Sequence, residues 1–192
     1  ILKPRPLPRM ELRDGIPKEL RTIVVVPTLL TNLQGIDEQV ERLEVHYLAN
    51  SDDDLRFALL SDWRDASSES MPGDAELLNA AVEGIARLNK RYGPQSGGGS
   101  RFVLFHRKRV WNASEHTWMG WERKRGKLHE LNQLLRGSTS TTFLSVGGHL
   151  LESIPSVRYV LTLDADTRLP RGAARRLIST MAHPLNRPRF DR

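Results

Sequence analysis

The apolar residues of this chain alternate between short continuous runs and longer stretches with helical spacing. Continuous apolar runs predict strands that are buried on both faces of a sheet. They cover Arg21–Pro27, Leu55–Ser61, Arg101–Lys108 and Arg158–Leu163. Helical segments are predicted over Gly35–Ala49, Asp74–Tyr92, Arg123–Leu135, Thr142–Ile154 and Arg171–Met181. Because strands alternate with helices, we expect right-handed βαβ crossovers and a mostly parallel α/β sheet.

Two segments fall outside this alternation. We interpret residues 1–20 as an N-terminal extension or linker and residues 21–192 as the folded domain. The glycine-rich stretch Gly93–Ser100 predicts a flexible surface loop that is dispensable for the fold.

Composition and charge narrow the class of protein. The 192 residues include no cysteine, so there is no disulfide framework, which fits a reducing compartment. No apolar run approaches the roughly 20 residues needed to cross a bilayer, and the N-terminal residues lack the apolar core of a signal peptide. The net charge of +6 favours a polyanionic partner, such as nucleic acid, an anionic lipid surface or a diphosphate ligand.

The tract RYVLTLDADTRLP places Asp164 and Asp166 directly after the last apolar run. Side chains two residues apart on an extended strand point to the same side, so these carboxylates would converge at the strand's carboxyl end. Two hard oxygen ligands suit Mg²⁺ or Mn²⁺ that also binds water and phosphate oxygens. Turn-forming aspartates at a strand end are the alternative interpretation, which stays open at this point.

Polar residues also follow the first two predicted strands, where ligands bind in open α/β sheets. In VVVPTLLT the strand is broken by Pro27, and the hydroxyl of Thr28 could contact a base or ribose. In FALLSDWRDA, Asp62 could accept a hydrogen bond from a uracil N–H, with Trp63 as a nearby apolar plane. The alternatives are a loop that starts at Pro-Thr and an Asx-turn at Asp62.

The tract WMGWERKRGKLHELN starts a helix with three cations around Gly126, namely Lys124, Arg125 and Lys127. Cations and free backbone N–H groups at a helix start would hold a diphosphate, whereas an exposed basic helix is the alternative. Tryptophans are dense around this tract and could stack on a sugar or anchor the core. They are Trp111, Trp118 and Trp121.

Several motifs of other nucleotide-binding and hydrolytic sites are missing. The sequence has no P-loop and no G-x-G-x-x-G after the first strand, which disfavours P-loop enzymes and dinucleotide binding. It also has no H-E-x-x-H, no G-x-S-x-G and no nucleophilic cysteine. A nucleotide site built from aspartates and a metal remains, and that pattern indicates glycosyl transfer from a nucleoside diphosphate sugar.

The tracts VVVPTLL, ALLSDW, WERKRGKLHELN and LTLDADTRLP, in this order, resemble the glycosyltransferase part of bacterial cyclic β-1,2-glucan synthases, glycosyltransferase family 84. The tail MAHPLNRPRFD resembles the same family, so the likeness covers nearly the whole chain. It is looser to processive family 2 enzymes such as cellulose synthase. The resemblance implies a GT-A-like, Rossmann-like fold that is incomplete at the C-terminus, so that residues 21–192 form the donor-binding half of the domain.

The resemblance also implies roles for individual residues. Thr28 and Asp62 would face the uridine of UDP-glucose, Lys124 would lie near its diphosphate, and Gly126 would permit close approach. The aspartates Asp164 and Asp166 would hold Mg²⁺ or Mn²⁺, with Asp164 also near the donor. The family builds β-1,2-linked glucan on a glucan acceptor, in multi-pass proteins at the cytoplasmic face of the bacterial inner membrane. This chain, with no membrane span of its own, would work with the remainder of such a synthase.

The chain departs from processive relatives in two motifs. It contains neither the later catalytic aspartate, often in T-E-D, nor the Q-x-x-R-W tract that holds the acceptor. We therefore expect the general base to lie C-terminal to Arg192 and assign it to no residue here. Two other classes stay open: a non-catalytic GT-A-like assembly module, and a basic nucleic-acid-binding domain, which would leave Asp62, Asp164 and Asp166 without a role.

Overall fold

The computed structural model of the chain describes residues 6–145 and 156–187. Six strands are present in this part of the chain: β1 (Thr22–Leu30), β2 (Leu55–Trp63), β3 (Phe102–Arg107), β4 (Val110–Asn112), β5 (Thr117–Met119) and β6 (Tyr159–Thr162). The helices are α1 (Leu33–Ala49), α2 (Asp74–Tyr92), α3 (Arg123–Leu135) and α4 (Ala173–Ala182). Short 3₁₀ helices span Lys18–Leu20 and Pro184–Asn186. None of the helices in the described ranges is long and apolar enough to span a membrane.

The main sheet has four parallel strands in the order β3-β2-β1-β6. Strands β4 and β5 form a separate antiparallel hairpin that lies between β3 and α3 in the chain. The four-stranded parallel sheet with helices on both faces confirms the predicted α/β, Rossmann-like fold and agrees with a GT-A-like architecture.

Alternate residues of the central strand β1 belong to two separate apolar clusters, which explains its continuous hydrophobicity. Val24 and Val26 pack in one cluster with buried residues of α1, α2 and α4. Ile23 and Val25 pack in the other with α3. Because successive strand residues point to opposite faces, a strand covered by helices on both sides needs an apolar residue at every position.

Strand β1 does not break at Pro27, as the sequence pattern had suggested, but continues to Leu30. It pairs with β2 along its whole length, whereas its pairing with β6 reaches only Val25. A proline has no N–H to donate and is tolerated where a strand lacks a neighbour on one side. Pro27 lies in this one-sided part of β1, so the strand extends three residues farther toward the site.

Two other predictions need correction. Residues 142–145, the start of the helix predicted over Thr142–Ile154, are extended instead, and Phe143 forms a bridge with Arg107 and packs on Phe105. The rest of that predicted helix, residues 146–154, lies outside the described residues. The predicted loose loop at 93–100 is anchored, because Gln95 is buried and its amide nitrogen donates to the carbonyl of Leu55 at 2.9 Å.

The predicted N-terminal extension contacts the domain. Ile16 is buried in the larger apolar cluster, and its backbone N–H donates to Asp52 at 3.0 Å. The N–H of Met10 donates to the carbonyl of Ser179 on α4 at 3.0 Å.

Candidate functional site

A cleft of about 690 Å³ opens at the carboxyl ends of the parallel strands. This is the edge of an open α/β sheet where ligands bind. Its walls come from the ends of β1 and β2, the start of α3 and the turn after β6. The lining residues are Pro27, Thr28, Leu29, Asp62, Trp63, Arg64, Asp65, Gly120, Arg123, Lys124, Lys127 and Ala165. We call this the donor cleft, after the nucleotide-sugar donor that the sequence resemblance leads us to expect here.

A buried ion network forms the floor of the donor cleft. Asp62, at the end of β2, receives two hydrogen bonds from Arg107 on β3, Nε to Oδ1 at 2.8 Å and Nη2 to Oδ2 at 3.0 Å. The Nζ atom of Lys127 on α3 lies 3.0 Å from Asp62 Oδ2. On its other side, Arg107 Nη1 donates to Glu130 Oε2 at 3.1 Å. We call these four residues the buried network.

Each ionisable group of the buried network has a partner of opposite charge. Burial alone would lower the pKa of Arg107, but the hydrogen bonds that Arg107 donates to Asp62 and Glu130 outweigh it and raise that pKa. Burial would raise the pKa of Glu130, whereas hydrogen bonds from Thr142, Thr141 and Arg107 hold it below its ordinary value. Burial lowers the pKa of Lys127 against the attraction of Asp62.

Thr28 lies in the cleft wall, and its backbone is tied to α3. Lys127 Nζ donates to the carbonyl of Thr28 at 2.8 Å and to that of Leu60 at 3.3 Å. Together with its contact to Asp62, this lysine uses its three donors on the ends of β1 and β2. Lys127 therefore joins the two strand ends that carry Thr28 and Asp62.

Lys124 and Asp164 form an ion pair at the rim of the donor cleft. The pair joins α3 to the turn after β6, and both side chains are more than half exposed, 52% and 60%. Lys124 is one turn of helix before Lys127, but it lies on the solvent side, whereas Lys127 is buried. The structure thus brings Thr28, Asp62 and Lys124 to one cleft and sets Asp164 at its edge.

The two aspartates of the D-x-D tract do not lie on an extended strand. β6 ends at Thr162, and Asp164 to Thr167 form a turn closed by the N–H of Thr167 and the carbonyl of Asp164 at 2.9 Å. The expectation that a strand would point both carboxylates to one side is therefore wrong in its geometry. Asp166 is exposed on this turn.

The donor set of this turn fits a divalent cation that keeps several non-protein ligands. Within residues 6–145 and 156–187, no three His, Cys, Asp or Glu side chains converge as a metal-binding group. Mg²⁺ is commonly held by one or two carboxylates, with water and substrate phosphates completing its shell. Asp164 and Asp166 supply that number of carboxylates next to the cleft.

Two glycines are explained by close packing around the site. A Cβ on Gly120 would lie 2.7 Å from Asp62 Cγ and 2.9 Å from Arg107 Nη2. A Cβ on Gly126 would lie 1.9 Å from the carbonyl oxygen of Trp121. Gly126 therefore lets the first turn of α3 sit against the preceding turn, in addition to any role it has toward a ligand.

Sequence reasoning did not single out Arg107 or Glu130. It placed Lys127 among the cations that would hold a diphosphate, whereas the structure buries this side chain against Asp62 and the carbonyls of Thr28 and Leu60. Arg107 ends a buried strand, and a charge in that position needs a buried partner. Lys127 and Glu130 are three residues apart, a spacing that puts both on one helix face. These two signals, read together with Asp62 at the end of β2, could have indicated the network.

Over 186 residues, or 97% of its length, the chain is 51% identical to the cyclic beta-(1,2)-glucan synthase NdvB of Rhizobium meliloti (strain 1021). The chain is related to this synthase. The finding confirms the resemblance that the four sequence tracts indicated. The matched part amounts to 6% of the length of NdvB. No protein-family model matches the sequence.

Proposed function

We propose that this chain is the nucleotide-sugar-binding part of a hexosyltransferase that builds β-1,2-linked, cyclic glucan from UDP-glucose. Its 51% identity to NdvB over nearly the whole chain is the observation that carries the proposal. The donor cleft supports it, because its polar residues surround a space at the carboxyl ends of parallel strands, the usual ligand position in this fold class.

In this proposal the uridine lies toward Thr28 and Asp62. Asp62 already accepts two hydrogen bonds from Arg107 and one from Lys127, which leaves one of the roughly four lone-pair sites of a carboxylate. It can therefore accept a further hydrogen bond from a uracil N–H. Arg107 and Lys127 orient this carboxylate for that contact.

The diphosphate lies toward Lys124 at the start of α3, beside Asp164 and Asp166, which hold Mg²⁺ or Mn²⁺. When bound, the metal neutralises charge on the departing UDP. Lys124 is exposed enough to exchange its contact with Asp164 for a phosphate oxygen, and the freed Asp164 carboxylate would then be available to hold the metal. Because UDP-glucose is α-linked and the product linkage is β, transfer proceeds with inversion, and a base must deprotonate the acceptor hydroxyl.

The proposed partners are a glucan acceptor and the remainder of a synthase at the cytoplasmic face of the bacterial inner membrane. Nucleic acid is not among them, since Asp62, Asp65 and Asp164 lie beside the cations of the donor cleft and repel a phosphate backbone.

The test is calorimetric titration of UDP-glucose into the folded 192-residue chain, with and without Mn²⁺. We expect metal-dependent binding that is lost in Asp164→Asn and in Asp166→Asn. Asp37→Asn is the matched control, because Asp37 is an exposed carboxylate paired with Arg87 on a different surface. A folded chain that ignores UDP-glucose in both conditions contradicts the proposal and favours an assembly role, whereas salt-sensitive DNA binding without a UDP response favours a nucleic-acid-binding domain.

A further inference from the structure

A second cleft, of about 450 Å³, lies beside the hairpin formed by β4 and β5. We call it the hairpin cleft. It is lined by residues of the hairpin and by Trp121, Glu122 and Arg123 at the start of α3. Arg123 also lines the donor cleft, so the two clefts meet at this residue. The proposed roles of the donor site do not use the hairpin cleft.

Two large indole side chains line the hairpin cleft and are half exposed, Trp111 at 49% and Trp121 at 48%. Tryptophan is normally highly buried, so two half-exposed indoles on one concave surface indicate a ligand-binding surface. Both rings are held in place by neighbours. The ring of Trp111 lies 5.9 Å from that of Trp118, and the ring of Trp121 lies 6.1 Å from that of His129.

The backbone that presents Trp121 is strained. Glu122 and Arg123 have φ angles of 50° and 46°, in the left-handed region that non-glycine residues rarely adopt. The absence of a side chain on Gly126 permits this turn, because a Cβ there would collide with the carbonyl oxygen of Trp121. Strained non-glycine residues are concentrated at ligand-binding and catalytic sites. This strain is an observation independent of the exposed indoles.

The polar groups of the hairpin cleft suit a neutral, hydroxyl-rich ligand. Its acceptors include the side chains of Asn112, Glu115 and Glu122. Among the described residues that line it, Arg123 is the one cation, and it is already paired with Glu115 at 2.6 Å and with Asp65 at 2.9 Å. A phosphate would therefore find no unpaired cation among these lining residues, whereas sugar hydroxyls can donate to the remaining lone pairs of Glu115, which is paired with Arg123, and of Glu122, which is paired with Arg125.

We infer that the hairpin cleft binds a glucan chain, with the indoles of Trp111 and Trp121 packing on the apolar faces of glucose rings. Ligand clefts typically combine aromatic walls with a few polar groups that orient the ligand, as here. Because the two clefts share Arg123, a glucan in the hairpin cleft lies next to the donor cleft. This inference rests on the proposed function and deepens it, since the bound chain would be the acceptor or the growing product.

The test is titration of purified linear β-1,2-glucan oligosaccharides into the 192-residue chain, followed by calorimetry, with a separate titration of UDP-glucose. We expect Trp111→Ala and Trp121→Ala each to weaken glucan binding by about ten-fold, as for loss of a central aromatic anchor. UDP-glucose binding should be unchanged in Trp111→Ala. Leu177→Ala is the matched control, since Leu177 is 49% exposed and lies on α4, away from both clefts.

A second pair of variants distinguishes a loss of glucan binding from a loss of the fold. Ala113 is an exposed residue of the hairpin turn that lines the cleft, so Ala113→Arg should block glucan binding without removing any packed side chain. Trp111→Tyr keeps an aromatic plane and should retain most of the affinity. A circular dichroism spectrum like that of the unmodified chain checks the fold of each variant.

The outcomes separate this inference from the proposed function. A chain that binds UDP-glucose but no glucan overturns the glucan site and leaves the donor site standing. Glucan affinity that is as high in Trp111→Ala and Trp121→Ala as in the unmodified chain does the same. Loss of UDP-glucose binding in Trp111→Ala, with no glucan binding, would assign the indole to the nucleotide and also overturns it. Glucan binding that depends on Trp111 supports the glucan site even if UDP-glucose does not bind, in which case the proposed donor site fails alone.

Discussion

The donor cleft contains two cation–carboxylate pairs of similar chemistry in opposite environments. On its floor, the side chains of Arg107 and Asp62 are 0% and 3% exposed and meet through two hydrogen bonds. At its rim, Lys124 and Asp164 form a single contact between two side chains that are more than half exposed. The sequence gives no direct sign of this difference, because all four residues lie at the ends of strands or the start of a helix.

The difference in burial indicates that the two ion pairs have different roles. A buried charge that loses its partner costs several kcal/mol, so separating the floor pair in the folded protein is strongly unfavourable. An exposed pair contributes at most about 1 kcal/mol, so a ligand can replace either partner at small cost. The floor pair therefore holds the cleft in place, whereas the rim pair is the part that, in the proposed function, would exchange partners with a diphosphate and a cation.

The largest expected effect comes from removing the centre of the buried network. Arg107→Met should lower the free energy of unfolding by about 3–5 kcal/mol, because Glu130 would remain buried without a cation and Asp62 would keep only Lys127. Urea denaturation of the 192-residue chain measures it. Arg125→Met is the control, since Arg125 is 81% exposed and pairs with Glu122 on the surface. A decrease in the free energy of unfolding of less than about 1 kcal/mol would mean that water reaches the buried network. The floor pair would then behave like the exposed rim pair.

Most of the main sheet could be predicted from the sequence, because its strands are continuous apolar runs and its helices have regular apolar spacing. The hairpin of β4 and β5 was missed, since each strand has three residues and the pattern around Trp111 and Trp118 is too short to show a period. The extended segment at Thr142 was misassigned because its position is determined by contacts with Glu130 and β3, which are distant in sequence.

The candidate site was predicted in its location but not in its internal contacts. The rule that ligands bind at the carboxyl ends of parallel strands places Thr28, Asp62 and the D-x-D tract together. It does not say which cation is buried. Lys124 and Lys127 are three residues apart on one helix, and only the packing of α3 against β1 and β2 decides that Lys127 turns inward.

Gly120→Ala tests how tightly the floor is packed. The new methyl group would overlap the Asp62 carboxylate and the Arg107 guanidinium, neither of which can move without losing buried hydrogen bonds. We expect a loss of about 1–3 kcal/mol in the free energy of unfolding, the usual cost of overpacking. Gly73→Ala is a poor control because of its positive φ, whereas Gly97→Ala, whose Cβ would meet its nearest neighbour at 3.8 Å, is suitable. Equal stability of the two variants would contradict the tight floor.

The free energy of unfolding should also depend on pH through His106, which precedes Arg107 on β3 and is buried next to the network. His106 is fully buried with Nδ1 2.8 Å from the hydroxyl of Ser61, and burial lowers its pKa to about 4. The unfolded chain, with a histidine pKa near 6.5, binds more protons between these values. Stability contributed by neutral His106 is thus present above about pH 6.5 and falls as pH decreases toward 4.

Between about pH 6.5 and pH 5.5 we expect His106 to account for a loss of about 1 kcal/mol in the free energy of unfolding. Denaturation curves at several pH values, compared between the unmodified chain and His106→Gln, measure this share. The comparison is needed because burial also lowers the pKa of His46, which changes stability in the same direction. If the free energy of unfolding depends on pH in the same way in both proteins, His106 is hydrated, which contradicts its burial in the structure.

The smallest expected change in stability lies at the rim, where the effect on binding is larger. Lys124→Ala should alter the free energy of unfolding by no more than about 0.5 kcal/mol, as for most surface substitutions. If Lys124 contacts the diphosphate, the same change should weaken UDP binding by about ten-fold or more, because a hydrogen bond to a charged group is worth about 1.5–3 kcal/mol. Arg125→Ala, one residue along the same helix and also exposed, controls for the loss of a nearby positive charge. Stable Lys124→Ala protein with weakened UDP binding would place ligand exchange at the rim. An unchanged dissociation constant for UDP would show that Lys124 and Asp164 are an ordinary surface ion pair. Any nucleotide binding would then depend on the floor of the cleft.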